Sequence, residues 1–273
     1  MPIRKKKLKE LSAGIRRIID GQEVDLRDHR EGVLSILKND IYTLSELKNE
    51  QVEALRHDRL VLSDTLADIS HQLKTPLTSM MIMADLLESA PEDRRAEFIE
   101  NIKTGLTRME WLVSALLKMA KFDAGAVSFT RELVPASVLA EAALIPLKIL
   151  LELKNQTAEV AGDAEIVCDK RWTAEALANV IKNASEYSPD GGVIRIESGT
   201  NPICSWVSVA DSGPGLKPRE ISRLFKRFTG SRNAAGYGIG LPLALAILRG
   251  QNGDIEVDGG DGYGAVFTMK FYR

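Results

Sequence analysis

The chain has 273 residues, enough for two compact domains and a helical adaptor. Hydrophobic residues make up 44% and charged residues 27%, a balance that excludes both a disordered chain and a membrane-embedded bundle. The 36 basic and 38 acidic side chains nearly cancel, so no overall basic field recruits nucleic acid. Basic residues crowd the start, where Arg4, Lys5, Lys6, Lys7, Lys9, Arg16 and Arg17 meet only Glu10 and Asp20. No apolar run approaches the ~20 residues that span a bilayer, and no signal peptide is present. Two readings are open: a wholly soluble protein, or a cytoplasmic portion that begins just inside a membrane, its basic start obeying the positive-inside rule. Cys168 and Cys204 lie far apart without metal-ligand spacing and read as reduced core residues of a cytosolic protein.

Leu8, Leu11, Ile15 and Ile18 recur at spacings of three and four, the stripe of a one-sided helix that ends at Gly21. Asp25 to Arg30 is a polar connector, and a second helix begins near Glu31. From Ile41 to Leu73 a heptad places Ile41, Leu55, Leu62 and Ile69 at one core position and Val52, Leu66 and Leu73 at the other. Lapses at Lys48 and Arg59 make this a marginal coiled coil. The helix continues through Leu77, Ile82, Leu86 and Leu87 and stops at Ser89-Ala90-Pro91. Pro91 is expected in the first turn of the next helix, with Glu92 and Asp93 at its positive end. That helix carries Phe98, Ile102, Met109, Leu112, Leu116 and Met119 on one side and ends at Gly125. Two helices cannot cover so broad an apolar face, whereas two paired hairpins make a four-helix bundle.

After about residue 130 the pattern changes. One helix is expected from Pro135 to Leu153, a strand from Glu165 to Cys168, and a helix capped by Asp169 that runs through Asn183. Val193 to Glu197, Ser205 to Ala210, Asp254 to Val257 and Val266 to Phe271 read as strands. Glycines gather between residues 213 and 240, which marks an α+β domain with a ligand loop.

Three constellations carry chemistry. In Ser70-His71-Gln72-Leu73-Lys74-Thr75-Pro76, the heptad turns His71 toward solvent, and Thr75 follows one helical turn later on the same face. Pro76 has no N–H for the carbonyl of Gln72, which favours a kink beside His71. A neutral imidazole is a nucleophile able to attack phosphorus. His29 and His57 read as ordinary surface residues. In the second constellation, Asn179 and Asn183 project from one helical face ahead of Glu186, Tyr187 and Ser188. An amide oxygen suits Mg²⁺, which keeps waters beside triphosphate oxygens. In the third, Asp211-Ser212-Gly213-Pro214-Gly215 ends a strand, where a carboxylate can accept from adenine's amino group and Gly213 and Gly215 let the backbone approach a ring. Downstream, Gly236-Tyr237-Gly238-Ile239-Gly240-Leu241 opens a helix from Leu241 to Leu248, whose N-terminus attracts phosphate. The flanking spacing of a Rossmann fingerprint is missing, as is a Walker-type ending.

The order of these pieces, with Leu224-Phe225-Lys226-Arg227-Phe228 between the glycine clusters, resembles the sensor histidine kinase family over residues 60 to 273. His71, Thr75 and Pro76 resemble its H box, Asn179 and Asn183 its N box, Asp211 to Gly215 its first glycine box, and Phe225 and Phe228 its F box. Gly262, Gly264 and Thr268 resemble its last glycine-containing strand. Residues 1–53 resemble a HAMP signalling adaptor, through Pro2 and Glu31-Gly32. The resemblance implies a multidomain chain: the adaptor, a dimerising and phosphotransfer hairpin at 54–127 that forms a four-helix bundle as a dimer, and an α+β ATP-binding sandwich at 130–273. That sandwich is shared with Hsp90 and type II topoisomerases.

By the same resemblance His71 is the phosphoacceptor, Gln72 stands beside it, and Thr75 positions a water that later removes phosphate from the partner. Asn179, Asn183, Tyr187, Asp211, Gly213, Gly215, Arg227, Gly236, Gly238, Gly240, Leu241 and Thr268 form the ATP site, with Asn183 on Mg²⁺ and residues 217–235 as a lid. The implied partners are a second copy of the chain and a response-regulator receiver domain, with a membrane anchor upstream. Three departures stand out. Gln72 replaces the usual acidic base and cannot take a proton. Glu186 replaces a lysine, leaving Lys182, Lys226, Arg227 or Arg232 to supply a cation. Thr229-Gly230 replaces an aromatic-basic pair. Two alternatives stay open: a clamp-type ATPase, disfavoured by Asn179 where such enzymes carry an acid, and a degenerate kinase acting as dimeric scaffold or partner phosphatase.

Overall fold

A computed structural model describes residues 5–19, 22, 25, 33–228, 238–259 and 264–273. The chain divides into two compact units, residues 1–71 and 72–273. In the first, α1 (Lys5–Ile19) buries Leu11 and half-buries Ile15 and Ile18, as the spacing predicts. The connector expected from Asp25 to Arg30 lies, after Asp25, outside the described residues, as do Gly21, Pro2 and Glu31-Gly32. The helix α2 (Val33–Ser89) carries the heptad, and Leu55, Leu62 and Leu66 are each more than half exposed in the single chain. It runs on without interruption through Pro76.

In the second unit the chain turns at Ala90 and Pro91 into α3 (Glu92–Asp123). Pro91 is one residue earlier than expected: with φ −56° and ψ 150° it is the N-cap, and its carbonyl accepts from Arg94 N–H at 3.0 Å. Gly125 closes the helix at φ +61°, where a Cβ would be strained. The α3 face divides its work. Leu112, Ala115 and Met119 are buried in the core of the following domain, while Ile99, Leu106, Val113 and Leu117 are exposed.

Beyond α3 come β1 (Glu132–Pro135), α4 (Ala136–Leu144), a 3₁₀ turn (Ile145–Leu147), α5 (Lys148–Leu153), β2 (Thr157–Ala161), β3 (Glu165–Cys168) and α6 (Lys170–Tyr187). The single helix expected over 135–153 is broken because Pro135 ends a strand and Pro146, lacking an N–H, forces the tighter turn. Then follow β4 (Val193–Thr200), β5 (Cys204–Ala210), the short α7 (Pro218–Ile221), α8 (Gly240–Arg249), β6 (Gly253–Gly259) and β7 (Ala265–Tyr272).

Five strands form one sheet in the order β2-β4-β5-β7-β6, parallel only between β2 and β4, and β1 pairs antiparallel with β3. Side chains alternate across the sheet. Ile194, Ile196, Val207, Val209, Phe267 and Met269 are buried, and they share one core with α4, α6 and α8 through Leu139, Leu177, Ile181, Leu243 and Ile247. Both cysteines are free and buried, and burial pushes the Cys168 thiol above its ordinary value, which fits inert core residues. Asp169 caps α6, accepting from Trp172 N–H at 3.1 Å and, through its other oxygen, from Thr130 N–H at 2.9 Å. Phe122, Phe129 and Trp172 pack edge to face or tilted at 5.1–6.4 Å, fixing the passage from α3 into the sandwich. Leu177 is wholly buried at the α6–sheet contact. Leu177→Ala should lower stability by about 2–5 kcal/mol, read as a shift in denaturant midpoint at unchanged slope.

Candidate nucleotide site

Asp211 follows the last residue of β5, and the β5–β7 pairing brings it beside Ala265. Its N–H donates to Ala265 O at 2.9 Å, and its Oδ1 accepts from Gly213 N–H at 2.8 Å and Ala265 N–H at 3.0 Å. Burial pushes its carboxyl above the ordinary value, and the two N–H donors pull it back. Two glycines make the arrangement possible. Gly264 has φ +76°, and a Cβ there would lie 2.2 Å from Asp211 O. A Cβ on Gly213 would lie 2.7 Å from Tyr187 O, so the Asp-Ser-Gly turn rests on the last turn of α6. Gly215, at φ +79°, turns the chain away.

On α6, Asn179, Asn183 and Tyr187 recur every four residues and are half-buried. Asn179 Nδ2 donates to Glu175 O at 3.0 Å, and its Oδ1 lies 3.0 Å from where a Cβ on Gly240 would stand. The N-terminus of α8 is thus seated on Asn179. Leu241 is buried in the core and its side chain packs there. Gly238, at φ +65°, accepts from Phe228 N–H at 3.2 Å, while Gly236 lies outside the described residues. Phe228 is itself left-handed at φ +59°, an unfavourable conformation for an aromatic residue. With Leu224 and Phe225 it packs on the core.

The cations proposed to replace a lysine at position 186 are placed differently from one another. Lys182 Nζ is 3.9 Å from Glu186 and lies 4.6 Å over the ring of Trp111 from α3. Burial pushes the Glu186 carboxyl up, with Lys182 and Lys154 opposing it. Arg227 makes a two-pronged pair with Asp123 at the end of α3, at 2.7 and 2.8 Å. A second ion pair, Lys118–Glu175, joins α3 to α6. Lys226 is exposed, and Arg232 lies outside the described residues.

The structure does not bring Thr268 to this cluster. It pairs with Ser208 and Glu256 and alternates with buried Phe267 and Met269, so it faces away from the helices. Ala265, the residue that meets Asp211, lies three positions earlier. The glycine-containing strand meets the cluster at Gly264 and Ala265 instead, and Gly264 is the sequence signal for that register. Nothing in the sequence marks Asp123 or Trp111, whose roles arise from long-range packing. On α2, His71 and Thr75 are exposed and Gln72 is half-buried.

The donor set bears on Mg²⁺. Among the described residues no group of three His, Cys, Asp or Glu side chains could hold a metal ion alone. Asn183 offers one neutral oxygen, which fits a metal that takes its remaining ligands from phosphate and water.

A raised Asp211 pKa has a consequence for stability. The stabilisation of the neutral carboxyl is fully present below the ordinary value of 3.8 and is lost as pH rises through the higher folded-state value. Asparagine keeps the acceptor oxygen and never ionises. Asp211→Asn should therefore melt at or above the parent temperature at neutral pH, the difference shrinking as pH falls toward 4 and below, as thermal unfolding across a pH series will show.

Two family models match the chain. Residues 61–125 match the His Kinase A (phospho-acceptor) domain, and residues 168–273 match the histidine kinase-, DNA gyrase B- and HSP90-like ATPase. The signal transduction histidine-protein kinase BaeS of Escherichia coli is 26% identical over 254 residues, covering 90% of this chain and 54% of BaeS. The heme sensor protein HssS of Staphylococcus saprophyticus is 30% identical over 211 residues, covering 76% of this chain and 45% of HssS. The chain thus spans about half the length of these relatives. Among solved structures, the Acinetobacter baumannii histidine kinase AdeS shares the fold at TM-score 0.63 and 23% identity, covering 74% of this chain and 97% of AdeS. The histidine kinase ThkA, solved in complex with the response regulator protein TrrA, aligns at TM-score 0.65 and 21% identity, covering 83% of this chain and 66% of ThkA. With a phospho-acceptor hairpin and an ATPase sandwich in that order, the chain belongs to the sensor histidine kinases of two-component systems.

Proposed function

We propose that this chain is an ATP-dependent protein-histidine kinase that phosphorylates His71 and passes the phosphoryl group to an aspartate of a response-regulator receiver domain. The observation that carries the reading is the pairing, in one chain, of an exposed histidine on the phospho-acceptor hairpin with a half-buried strand-end carboxylate suited to adenine. The unprotonated imidazole nitrogen attacks the γ-phosphorus, the bond from that phosphorus to the β–γ bridging oxygen breaks, and ADP departs. Gln72 can accept a hydrogen bond from the imidazolium but cannot take its proton, which passes to water.

Asp211 reads the adenine amino group, and Gly213 and Gly215 give the ring room. Asn183 would hold Mg²⁺, which when bound would neutralise charge on the phosphate oxygens. The N-terminus of α8 and the N–H groups near Gly238 and Gly240 would hold the phosphates. Thr75 positions the water that removes phosphate from the receiver. The domain boundaries at residues 54–127 and 130–273 follow this division of labour, and residues 1–53 act as a HAMP-like adaptor.

The exposed leucines of α2 and the outer face of α3 support a homodimer with a four-helix core. At ~25 cal/mol per Å² even a modest buried patch is worth several kcal/mol before association costs. Among the described residues no helix is long and apolar enough to cross a membrane. The basic start and the relatives' greater length support membrane spans upstream of a cytoplasmic portion. Gln72 favours a second reading, a receiver phosphatase with little kinase activity, which the same experiment separates. With labelled ATP the parent should acquire acid-labile, base-stable label. His71→Gln should lose it, by at least a hundredfold in rate, about 2.7 kcal/mol in the barrier, while binding ATP like the parent. Acid-stable label retained in His71→Gln would sink the assignment, and an unlabelled parent that dephosphorylates a receiver would favour the second reading.

A further inference from the structure

Gln156 precedes β2 and is 93% buried, yet its side chain is an amide. Its Nε2 lies 3.1 Å from each of three carbonyl oxygens, those of Ser185, Ser188 and Pro189, and its Oε1 accepts from the Ser185 hydroxyl at 2.6 Å. Those carbonyls are at the C-terminal end of α6, where a helix runs out of internal partners. The usual remedy is a left-handed glycine cap. Here Ser188 leaves the helix extended, at φ −72° and ψ 144°, because Pro189 follows and disfavours a helical conformation before it. Pro189 O has a local donor in Gly192 N–H at 3.0 Å, but the donors to Ser185 O and Ser188 O come from elsewhere in the fold. Gln156 supplies them, with Lys154 Nζ adding a bond to Ser185 O at 2.7 Å.

The bonded set does not stop at the helix end. Ser188 Oγ accepts from Ser212 N–H at 3.0 Å, and Ser212 Oγ donates to Val193 O at 2.6 Å. Ser212 is the neighbour of Asp211, and Gly213 rests against the Tyr187 carbonyl. A continuous bonded path therefore joins Gln156, the last turn of α6 and the Asp211 turn. Asn183 stands on the helix that this path holds, two residues before Ser185, and Asp211 stands beside Ser212 at the path's end; these are the two groups assigned to opposite ends of one ligand.

We propose that Gln156 is a positioning residue of the nucleotide site. Its amide fixes the end of α6 and, through Ser188 and Ser212, sets the separation between Asn183 and Asp211 to match the span from adenine to the metal-bound phosphates. The inference rests on the ATP-site reading given above. A ligand that touches both ends depends on that separation, whereas a ligand touching only the Asp211 end does not. Adenosine is the second kind and Mg·ATP the first.

The test compares the two ligands in the full chain, with Mg·ATP followed by calorimetry and adenosine by NMR shift titration. Gln156→Met keeps the volume and removes every bond. In the folded variant Mg·ATP affinity should fall about tenfold or more, as expected for the loss of a buried hydrogen-bonding group, while adenosine stays within about twofold of the parent. Equal loss for both ligands, or loss for neither, would overturn the proposal and leave Gln156 a purely structural residue. Ser188→Ala cuts the path beyond Gln156 and leaves the amide's three carbonyls in place. It should show the same split more weakly, at about threefold, and it decides the matter if Gln156→Met fails to fold, an unchanged ratio counting against the proposal. A parent chain that binds neither ligand contradicts the nucleotide assignment itself.

Discussion

A carboxylate held at the end of β5 organises the ligand face of this domain. Asp211 can stand half-buried because its Oδ1 accepts two main-chain N–H groups, from Gly213 and Ala265. Each donor depends on a different part of the fold. Ala265 reaches it through the register of β7, and Gly264 allows that approach because any side chain would overlap the Asp211 carbonyl. Gly213 reaches it through a turn flattened against α6. Charge-assisted bonds of this kind contribute about 1.5–3 kcal/mol each, which offsets the desolvation of the carboxylate without abolishing it. Oδ1 is occupied by the protein, and among the described residues no hydrogen bond is made by the other oxygen, the one the proposed reading gives to adenine. From this anchor the site extends along α6 to Asn183 and Asn179, and Asn179 seats the start of α8 through its contact at Gly240.

The helix α3 serves two purposes, and magnitudes rank the forces that hold it to the sandwich. Leu112, Ala115 and Met119 are removed from solvent, and a fully buried side chain of leucine or methionine size is worth roughly 1.5–3 kcal/mol. The Asp123–Arg227 and Lys118–Glu175 pairs are partly exposed, and such pairs contribute about 0–1 kcal/mol. Apolar burial therefore holds the two parts together, and the ion pairs fix the angle and register at which they meet. The remaining faces of α2 and α3 expose leucines, isoleucines and methionines that the single chain does not cover.

Much of this was legible because local physics and long-range structure agree. The α6 stripe, its Asp169 cap, and the alternation of β4, β5 and β7 follow from spacing alone. So do the exposure of His71 and the end of α3 at Gly125. The edge elements were not legible. In β2 every residue but Ala158 is exposed, so its sequence has no apolar alternation to read, and β1 is four residues ending in proline. The break at Pro146 sits inside an apolar run that reads as one helix, so only the proline itself marks it. Thr268 was misplaced because a resemblance fixes the order of motifs more firmly than their register within a strand. A slip of one residue reverses the face a side chain occupies. Gln156 carries no sequence signal at all: it is one polar residue whose partners lie about thirty positions away.

In the proposed site Asp211 would read the base and Asn183 would act through the metal. The most direct measurement is calorimetric titration of ATP and GTP, with and without Mg²⁺, into the parent, Asp211→Asn and Asn183→Ala. Asp211→Asn should weaken ATP by roughly ten- to a hundredfold and blunt the preference for ATP over GTP, with or without Mg²⁺. Asn183→Ala should keep the preference and lose mainly the Mg²⁺-dependent part of the affinity. If both variants bind ATP like the parent, the nucleotide lies elsewhere and the account is contradicted.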